Sequence, residues 1–238
     1  MKIRPFVFGC LGLFFSALST FANTEDVLIV TENYPPFNYK EDGDVKGIAT
    51  ERVRQIMDKS GLSYRILLLP WTRAFAMATS QNTDNVLIYS LTRTPEREAQ
   101  FEWLAKISPA DSYLYALPEV AESAKGSLPV DQARATCVFD DAACDVLRGL
   151  GFKGKNLIEV ADNESASEIR MVYAERAEFF VANPIYLPYR LKQLKIPEDT
   201  FKAVRLVRSG EGYYLAGPRH LRPDIAEKVR QALSSLQQ

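Results

Sequence analysis

The sequence has little of the chemistry that most catalytic and metal sites use. Its 238 residues include one histidine, His220, and three cysteines. Cys137 and Cys144 lie far from His220 in sequence, so neither cysteine has a neighbouring base that would activate it as a nucleophile. Two cysteines and one histidine leave no ordinary structural zinc site complete. The sequence therefore predicts no catalytic residue, no metal site and no cofactor.

Strong charge of either sign is also missing, as is a long apolar run outside the N-terminus. The formal net charge of the whole chain is −1 at pH 7. So small a charge gives no electrostatic argument for binding nucleic acid or anionic lipid. No later segment is apolar enough to cross a membrane. We therefore expect a soluble mature protein with no nucleic-acid partner.

The N-terminus has the pattern of a secretory signal peptide. Lys2 and Arg4 precede an apolar stretch over residues 6–18, and small residues follow up to Ala22. A lipid anchor at Cys10 is the alternative, but Cys10 lies at the front of the apolar stretch, where processing does not normally occur. We predict export to the periplasm and cleavage near Ala22, which removes two positive charges and leaves a net charge of −1 − 2 = −3.

The mature chain keeps an even pair of cysteines, Cys137 and Cys144, in the stretch CVFDDAAC. An even count in an oxidising compartment favours a disulfide. The alternative is two unpaired cysteines that pack as small hydrophobic residues. We predict that Cys137 and Cys144 are joined.

Two sets of alternating strands and helices are separated by extended segments. The first set has strands at 27–31, 64–69 and 86–90, with helices at 48–59 and 71–79. The second set runs from 136 to 194, and extended segments follow at 204–207 and 213–216, before a last helix that starts at Pro223. This alternation predicts α/β units with mostly parallel sheets, in two lobes.

Three stretches resemble a known family when they are taken in order. TENYPPFNYKEDGDVKGIATERVRQIM, then PWTRAF, then SLTRTPERE with FEW after it, are similar to the extracytoplasmic solute-binding proteins of family 3. The resemblance covers the mature chain and is strongest over residues 27–107. It implies an α/β fold of the type II-like periplasmic-binding-protein kind, with two extended hinge segments and hinge closure on a ligand. The implied organisation is a signal peptide at 1–22, a first lobe at 23–112 and 206–238, and a second lobe at 113–205.

Aromatic residues follow two predicted strands of the first lobe. In α/β sheets, ligands bind outside the carboxyl ends of the strands, and Tyr34 and Trp71 both come just after a strand. Their flat apolar faces suit the body of a small ligand. For Trp71 the alternative is core packing, because tryptophan is mostly buried in many folds.

The loop SLTRTPERE is a predicted anion site. In the amino-acid binders of the family, an arginine at the end of this loop holds the carboxylate of the ligand, and the matching residue is Arg97. Ser90 and Thr92 stand where they can add hydrogen-bond donors. A guanidinium suits this task because its planar fork meets both carboxylate oxygens. Arg73, in PWTRAF, either faces the same cleft or is a solvated helix arginine.

The second lobe departs from the family pattern. Amino-acid binders of the family place an aspartate after a strand to hold the ammonium of the ligand, but FFVANP gives Asn183 there. Asp140 and Asp141 stand where a glycine and hydroxyl residues are usual, and two acids also suit a helix start. If Asp141 faces the cleft, it favours a cationic or neutral end of the ligand, and Glu32 can act in the same way.

The resemblance implies a monomeric binding protein that captures a small polar, carboxylate-bearing solute. Its partner would be the permease of an ABC importer in the inner membrane, bound transiently. A cyclohexadienyl-dehydratase-like enzyme is one alternative, but that enzyme needs an acid in the second lobe, and Asn183 does not transfer protons. A sensory protein that uses the same cleft is the other alternative. The sequence does not separate sensing from transport.

Overall fold

The computed structural model describes residues 27–161, 165–210 and 212–236. The predicted signal peptide and its cleavage site near Ala22 lie outside the described residues. Within those ranges, no helix combines the length and the apolar character that a membrane span needs.

The described residues form strands and helices in alternation. The strands are β1 (Val27–Thr31), β2 (Tyr39–Glu41), β3 (Asp44–Lys46), β4 (Tyr64–Leu68), β5 (Val86–Thr92), β6 (Phe101–Pro109), β7 (Ser112–Ala116), β8 (Ala135–Val138), β9 (Leu157–Val160), β10 (Phe179–Ala182), β11 (Lys202–Arg208) and β12 (Gly212–Pro218). The helices are α1 (Ile48–Ser60), α2 (Trp71–Ala78), α3 (Pro118–Ser123), α4 (Ala142–Gly149), α5 (Ser167–Tyr173), α6 (Tyr186–Leu194) and α7 (Pro223–Ser235).

Two five-stranded sheets organise the molecule. The sheet of the first lobe has the order β4-β1-β5-β12-β6, and the sheet of the second lobe has the order β11-β7-β10-β8-β9. Helices α1, α2 and α7 pack on the first sheet, and α3, α4 and α5 pack on the second. The α/β architecture with two lobes is the one that the sequence predicted.

The expectation of mostly parallel sheets holds for only part of each sheet. β1 pairs in parallel with β4 and β5, and β8 pairs in parallel with β9 and β10. β12, in contrast, pairs antiparallel with β5 and β6, and β7 pairs antiparallel with β10 and β11. The chain reaches β7 and β12 directly from a strand of the other sheet. These two strands therefore run in the opposite direction to the strands that precede helices.

Buried apolar residues explain why the first lobe folds as it does. β1 and β5 are buried almost along their whole length, as strands covered on both faces must be. Helix α1 turns Val53, Ile56 and Met57 to the core, and it ends at Gly61, whose left-handed backbone (φ 69°) closes the last turn. The helix begins after Gly47, where an added Cβ would collide with the carbonyl group of Phe37. This close approach holds the segment that carries Tyr34 against the start of α1.

The two lobes are in contact across the cleft. One continuous apolar cluster includes Phe37 and Tyr213 beside the first sheet and Phe180 and Tyr186 of the second lobe. A second cluster joins Trp71 of the first lobe to Val138 of the second. The described conformation is therefore a closed one.

Candidate functional site

An enclosed space lies between the two lobes. Residues that line it follow the carboxyl ends of strands in both sheets, which is where ligands bind in α/β folds. Its volume of about 70 Å³ leaves room for a few water molecules in this closed conformation. Eight of the predicted site residues line it, namely Glu32, Tyr34, Trp71, Ser90, Thr92, Arg97, Asp141 and Asn183.

Arg97 is a buried cation at this cleft. Its side chain is 4% exposed, and its guanidinium donates to the carbonyl oxygen of Thr92 at 3.1 Å and to that of Asp140 at 2.5 Å. Its central carbon lies 5.4 Å from the ring centre of Trp71 and 5.1 Å from that of Phe75. Burial lowers the pKa of Arg97. Among the described residues, no carboxylate stands at ion-pair distance from this guanidinium.

The strand before Arg97 contributes Ser90 and Thr92 to the lining of the cleft. Ser90 adopts a left-handed backbone (φ 58°), and its hydroxyl donates to the side-chain oxygen of Asn38 at 2.5 Å. Asn38 in turn donates to the carbonyl oxygen of Glu32. The Ser90 side chain therefore braces the segment that carries Glu32 and Tyr34, and Thr92 contributes its carbonyl oxygen to Arg97.

Aromatic rings close the cleft from both sides. The ring of Tyr34 stacks on the ring of Tyr186 with centroids 4.2 Å apart, so a first-lobe residue meets a second-lobe residue. The hydroxyl of Tyr34 lies 2.9 Å from the hydroxyl of Tyr213, which is on the crossing strand β12. Burial raises the pKa of Tyr34, Tyr186 and Tyr213, so all three phenols are neutral at physiological pH.

Trp71 and Arg73 begin the same helix but lie in different environments. Trp71 is 3% exposed, lines the cleft and packs against Phe75 with ring centres 5.5 Å apart, so it is both a core residue and a cleft residue. Its indole N–H has no hydrogen-bond partner among the described residues. Arg73 is exposed and is not among the residues that line the cleft. The structure therefore brings Trp71 to the candidate site and leaves Arg73 in solvent.

Asn183 lines the cleft, but its side-chain oxygen is already used. This oxygen accepts from the backbone N–H of Ile185 at 2.7 Å and from that of Tyr186 at 3.4 Å, which satisfies the start of helix α6. Asn183 is 2% exposed, so it is fixed in this role. Its oxygen is therefore engaged by the start of helix α6.

Asp141 serves both roles that the sequence left open. Its carboxylate accepts from the backbone N–H of Ala143 at 2.7 Å, so it caps helix α4, and it also lines the cleft. Asp140 is exposed, and only its carbonyl oxygen meets Arg97. Glu32 is 6% exposed and faces the same space. Acidic groups therefore surround part of the cleft.

Glu168 is a cleft residue that the sequence did not reveal. It lies in the first turn of α5, is 7% exposed and lines the space between the lobes. One of its oxygens accepts from the Tyr186 hydroxyl at 3.4 Å, a long and weak contact. Burial raises the pKa of Glu168 to about 7. Tyr186, Tyr213 and Arg208 are further lining residues that the sequence did not reveal.

The predicted disulfide forms the wall of the second lobe next to Asp141. Cys137 and Cys144 are joined, with Sγ atoms 2.00 Å apart, and both are 1% exposed. The bridge ties the end of β8 to helix α4, and Asp141 lies on the segment between them. It therefore holds in place the loop whose Asp140 carbonyl meets Arg97.

The family model of bacterial extracellular solute-binding proteins, family 3, matches residues 27–238. No curated protein matches the sequence significantly.

Solved structures share the fold at low identity. An arginine-, lysine-, histidine-binding protein, ArtJ, from Geobacillus stearothermophilus is 17% identical, with 89% of each chain covered and a TM-score of 0.69. An amino acid ABC transporter substrate-binding protein from Streptococcus pneumoniae, bound to L-arginine, is 16% identical, with 90% of this chain and 88% of that chain covered and a TM-score of 0.67. A histidine kinase sensor domain with similarity to periplasmic binding proteins is 16% identical, with coverage of 89% and 90% and a TM-score of 0.70. The chain has the two-lobed periplasmic-binding-protein fold and belongs to the bacterial extracellular solute-binding proteins of family 3.

Proposed function

We propose that the protein is a periplasmic binding protein for a small amino-acid-type solute. It binds the carboxylate of this solute in the cleft and delivers the solute to an ABC importer. The observation that carries this proposal is Arg97, a guanidinium that is 4% exposed and has no carboxylate partner among the described residues. A buried charge is costly unless it is paired. An anionic group of a ligand would supply the missing partner.

The surroundings of Arg97 suit a carboxylate better than a neutral group. Two of its N–H groups are held by backbone carbonyl oxygens, which fixes the plane of the fork without neutralising its charge. Trp71 and Phe75 pack against the guanidinium and exclude water from it. In such a site, hydrogen bonds from a guanidinium to a carboxylate are strong and directional. Aromatic rings of Tyr34 and Tyr186 would contact the body of the solute.

Contacts across the closed cleft support a hinge mechanism. Arg97 meets the Asp140 carbonyl, and Tyr34 meets Tyr186, so each lobe completes the other. A ligand that bridges the lobes would stabilise this closed form over an open one, which is how ligands shift such equilibria. We propose that the monomer presents this form to the permease. The periplasmic location, the monomeric state and the permease partner are parts of the same proposal.

The test is a ligand screen followed by one matched pair of variants. Thermal shift with the common L-amino acids and small organic acids identifies ligands, because a ligand that binds only the folded state raises the melting temperature. Calorimetry then compares the wild type with Arg97→Lys. Arg97→Lys loses the planar fork, and we expect a loss of about 2 kcal/mol or more in binding, roughly 30-fold in affinity.

Arg93→Lys is the matched control on the same loop. Arg93 is more exposed and pairs with Glu98 at the surface, with N–O distances of 2.5 and 2.7 Å. We expect its replacement to leave the affinity unchanged within about twofold, since exposed pairs contribute little. Equal affinities for the wild type and Arg97→Lys would contradict the proposed carboxylate site.

One observation bears on the enzyme alternative. Asn183 stands where the enzyme alternative needs an acid, but Glu168 is an acid of the second lobe. The raised pKa of Glu168 is what a general acid requires. We propose binding without turnover, because the family and the fold are those of binding proteins. Incubation of the identified ligand with stoichiometric protein, followed by NMR, should return the ligand unchanged. A new product that disappears in Glu168→Gln would make the protein an enzyme.

A further inference from the structure

Glu168 is a residue of the cleft whose burial the proposed function does not explain. Its side chain is 7% exposed, and its Oε2 has no hydrogen-bond partner among the described residues. Its Oε1 has one contact with another side chain, from the Tyr186 hydroxyl at 3.4 Å. An ionised carboxylate in such a place loses its hydration and gains almost nothing in return.

The groups around Glu168 do not neutralise it. Arg190 on α6 attracts it, but the Nε of Arg190 donates to the Tyr186 hydroxyl at 3.0 Å, so Tyr186 stands between the two charges. Asp141, at the start of α4, repels it and raises its pKa further. Arg190 on α6, Tyr186 on α6 and Asp141 before α4 are the charged or titratable described groups that act on it.

Glu168 is also the group that the second lobe can offer to a cation. The side-chain oxygen of Asn183 already accepts from the start of helix α6, and the amide carries no charge to offer an ammonium group. Asp141 spends its carboxylate in part on the cap of helix α4. Glu168 lines the same space as Arg97, and its Oε2 has no competing partner among the described residues.

We propose that Glu168 accepts the positively charged group of the ligand, an ammonium or a guanidinium, so that the cognate solute is a zwitterion whose carboxylate faces Arg97. This rests on the proposed function of the cleft. A buried arginine of the first lobe and a buried glutamate of the second then each gain a counter-charge from one ligand. Binding removes the cost of both buried charges, which favours the closed form when the zwitterion is present.

L-arginine, L-lysine and L-glutamine are the probes, measured by calorimetry at pH 8 with the wild type and Glu168→Gln. The variant keeps the shape of the side chain and removes its charge. We expect at least about a tenfold loss of affinity, because the charge of a cation would be left without its buried partner. Glu159→Gln is the matched control, since Glu159 is an acid of the second lobe that pairs with Arg148 outside the cleft. It should change affinity less than about twofold.

Analogues separate the two sources of positive charge. N-acetyl-L-arginine lacks the α-ammonium, and L-citrulline lacks the side-chain cation of arginine. If Glu168 holds the α-ammonium, Glu168→Gln weakens L-citrulline and not N-acetyl-L-arginine. If it holds the side-chain cation, the pattern reverses. Either pattern supports the proposal, and no effect on any probe overturns it.

The pH dependence is a readout that a merely structural role would not move. The wild type should bind the tightest probe about tenfold better at pH 8 than at pH 6, as Glu168 ionises over this range. Glu168→Gln should bind it with no such rise. A rise that persists in the variant would overturn the assignment to Glu168.

The two proposals fail in different ways. If Arg97→Lys weakens the probes and Glu168→Gln does not, the carboxylate site stands and the Glu168 site is overturned. If no zwitterionic or cationic amino acid binds the wild type while an organic dicarboxylate does, the Glu168 site is again overturned. If Arg97→Lys binds every ligand as the wild type does, the proposed function itself is contradicted.

Discussion

The two lobes have one topology and place different buried side chains at the cleft. In the first sheet, β1 lies between the parallel strands β4 and β5, and β12 pairs antiparallel with β5. In the second sheet, β8 lies between the parallel strands β9 and β10, and β7 pairs antiparallel with β10. The segment after β5 carries a buried arginine, Arg97, whereas the helix after β9 carries a buried acid, Glu168. The same scaffold therefore holds a cation on one side and an acid on the other.

Two sheets with the same strand order can form a specific ligand site because they carry different residues at their strand ends. Strand order fixes where side chains meet, because the carboxyl ends of parallel strands lie at one edge of a sheet. Residue identity at those ends fixes the charge that they present. In the first lobe the arginine is braced by backbone carbonyl oxygens and aromatic rings. In the second lobe the acid has one long contact, from Tyr186, so its environment depends on what fills the cleft.

Tyr186→Ala should have the largest effect on folding stability, and a larger effect than Tyr34→Ala. Tyr186 is 3% exposed and holds Glu168 and Arg190, whereas Tyr34 is only half-buried. We expect Tyr186→Ala to cost about 4 kcal/mol and Tyr34→Ala about half of that, because truncating a buried ring leaves a cavity. Chemical denaturation measures both free energies of unfolding. Equal losses would show that the two lobes depend on the stacked pair to the same degree.

The pH dependence of stability should also separate the lobes. The folded pKa of Glu168 is raised to about 7, from an ordinary value of 4.5. A folded pKa above the unfolded one gives stability that is complete below pH 4.5 and is lost as the pH rises through 7. The ligand-free wild type should therefore lose about 3 kcal/mol from this group between pH 4.5 and pH 8.

Glu168→Gln should remove this loss, so the variant should be the more stable protein at pH 8. Arg93→Lys should leave the pH dependence between 4.5 and 8 unchanged, because it exchanges one surface cation for another in the pair with Glu98. Thermal unfolding of the three proteins in matched buffers tests both expectations. A wild-type dependence that Glu168→Gln retains would place the titrating group elsewhere.

Both cysteines of the disulfide lie in the second lobe. Replacing Cys137 and Cys144 with alanine should cost about 2 kcal/mol, since the bridge closes a short loop with a sequence separation of 7. We expect hydrogen exchange to increase in α4 and β8 and to stay unchanged in the first lobe. Ligand preference should be kept. Increased exchange throughout the first lobe would mean that the lobes unfold as one unit.

Surface pairs should show the smallest effect in either lobe. Arg93 and Glu98 in the first lobe, and Arg134 and Glu178 in the second, form exposed ion pairs. Replacing Glu98 or Glu178 with glutamine should cost less than about 1 kcal/mol, and less still at high salt. A loss above 2 kcal/mol measured by denaturation would contradict this view of the charged surface.

The sequence was sufficient to predict the parts of the fold that depend on local patterns. The strand Val27–Thr31 and the helix that starts at Ile48 follow directly from apolar runs and periodicity. The strand Phe101–Pro109 was not predicted, because it pairs with Gly212–Pro218, more than a hundred residues away. The short helix Pro118–Ser123 was not predicted either, since only Ala121 among its residues is buried.

The site was predictable where it follows a strand and unpredictable where packing creates it. Arg97, Tyr34 and Trp71 stand after strands, and the structure brings all three to the cleft. Glu168 begins a helix in a stretch, SASEIRM, that reads as an ordinary solvated helix start. Its burial arises because Tyr186, from a different element, covers it. A contact between distant elements leaves no local signal in the sequence.

A crystal structure of the wild type with the tightest ligand of the screen shows directly whether Arg97 and Glu168 pair with the two charged groups of the ligand. We expect the ligand between the lobes, with its carboxylate within hydrogen-bond distance of the Arg97 guanidinium and its positive group within hydrogen-bond distance of the Glu168 carboxylate. A ligand whose carboxylate lies elsewhere, or whose positive group points to solvent while Glu168 stays unpaired, would contradict it.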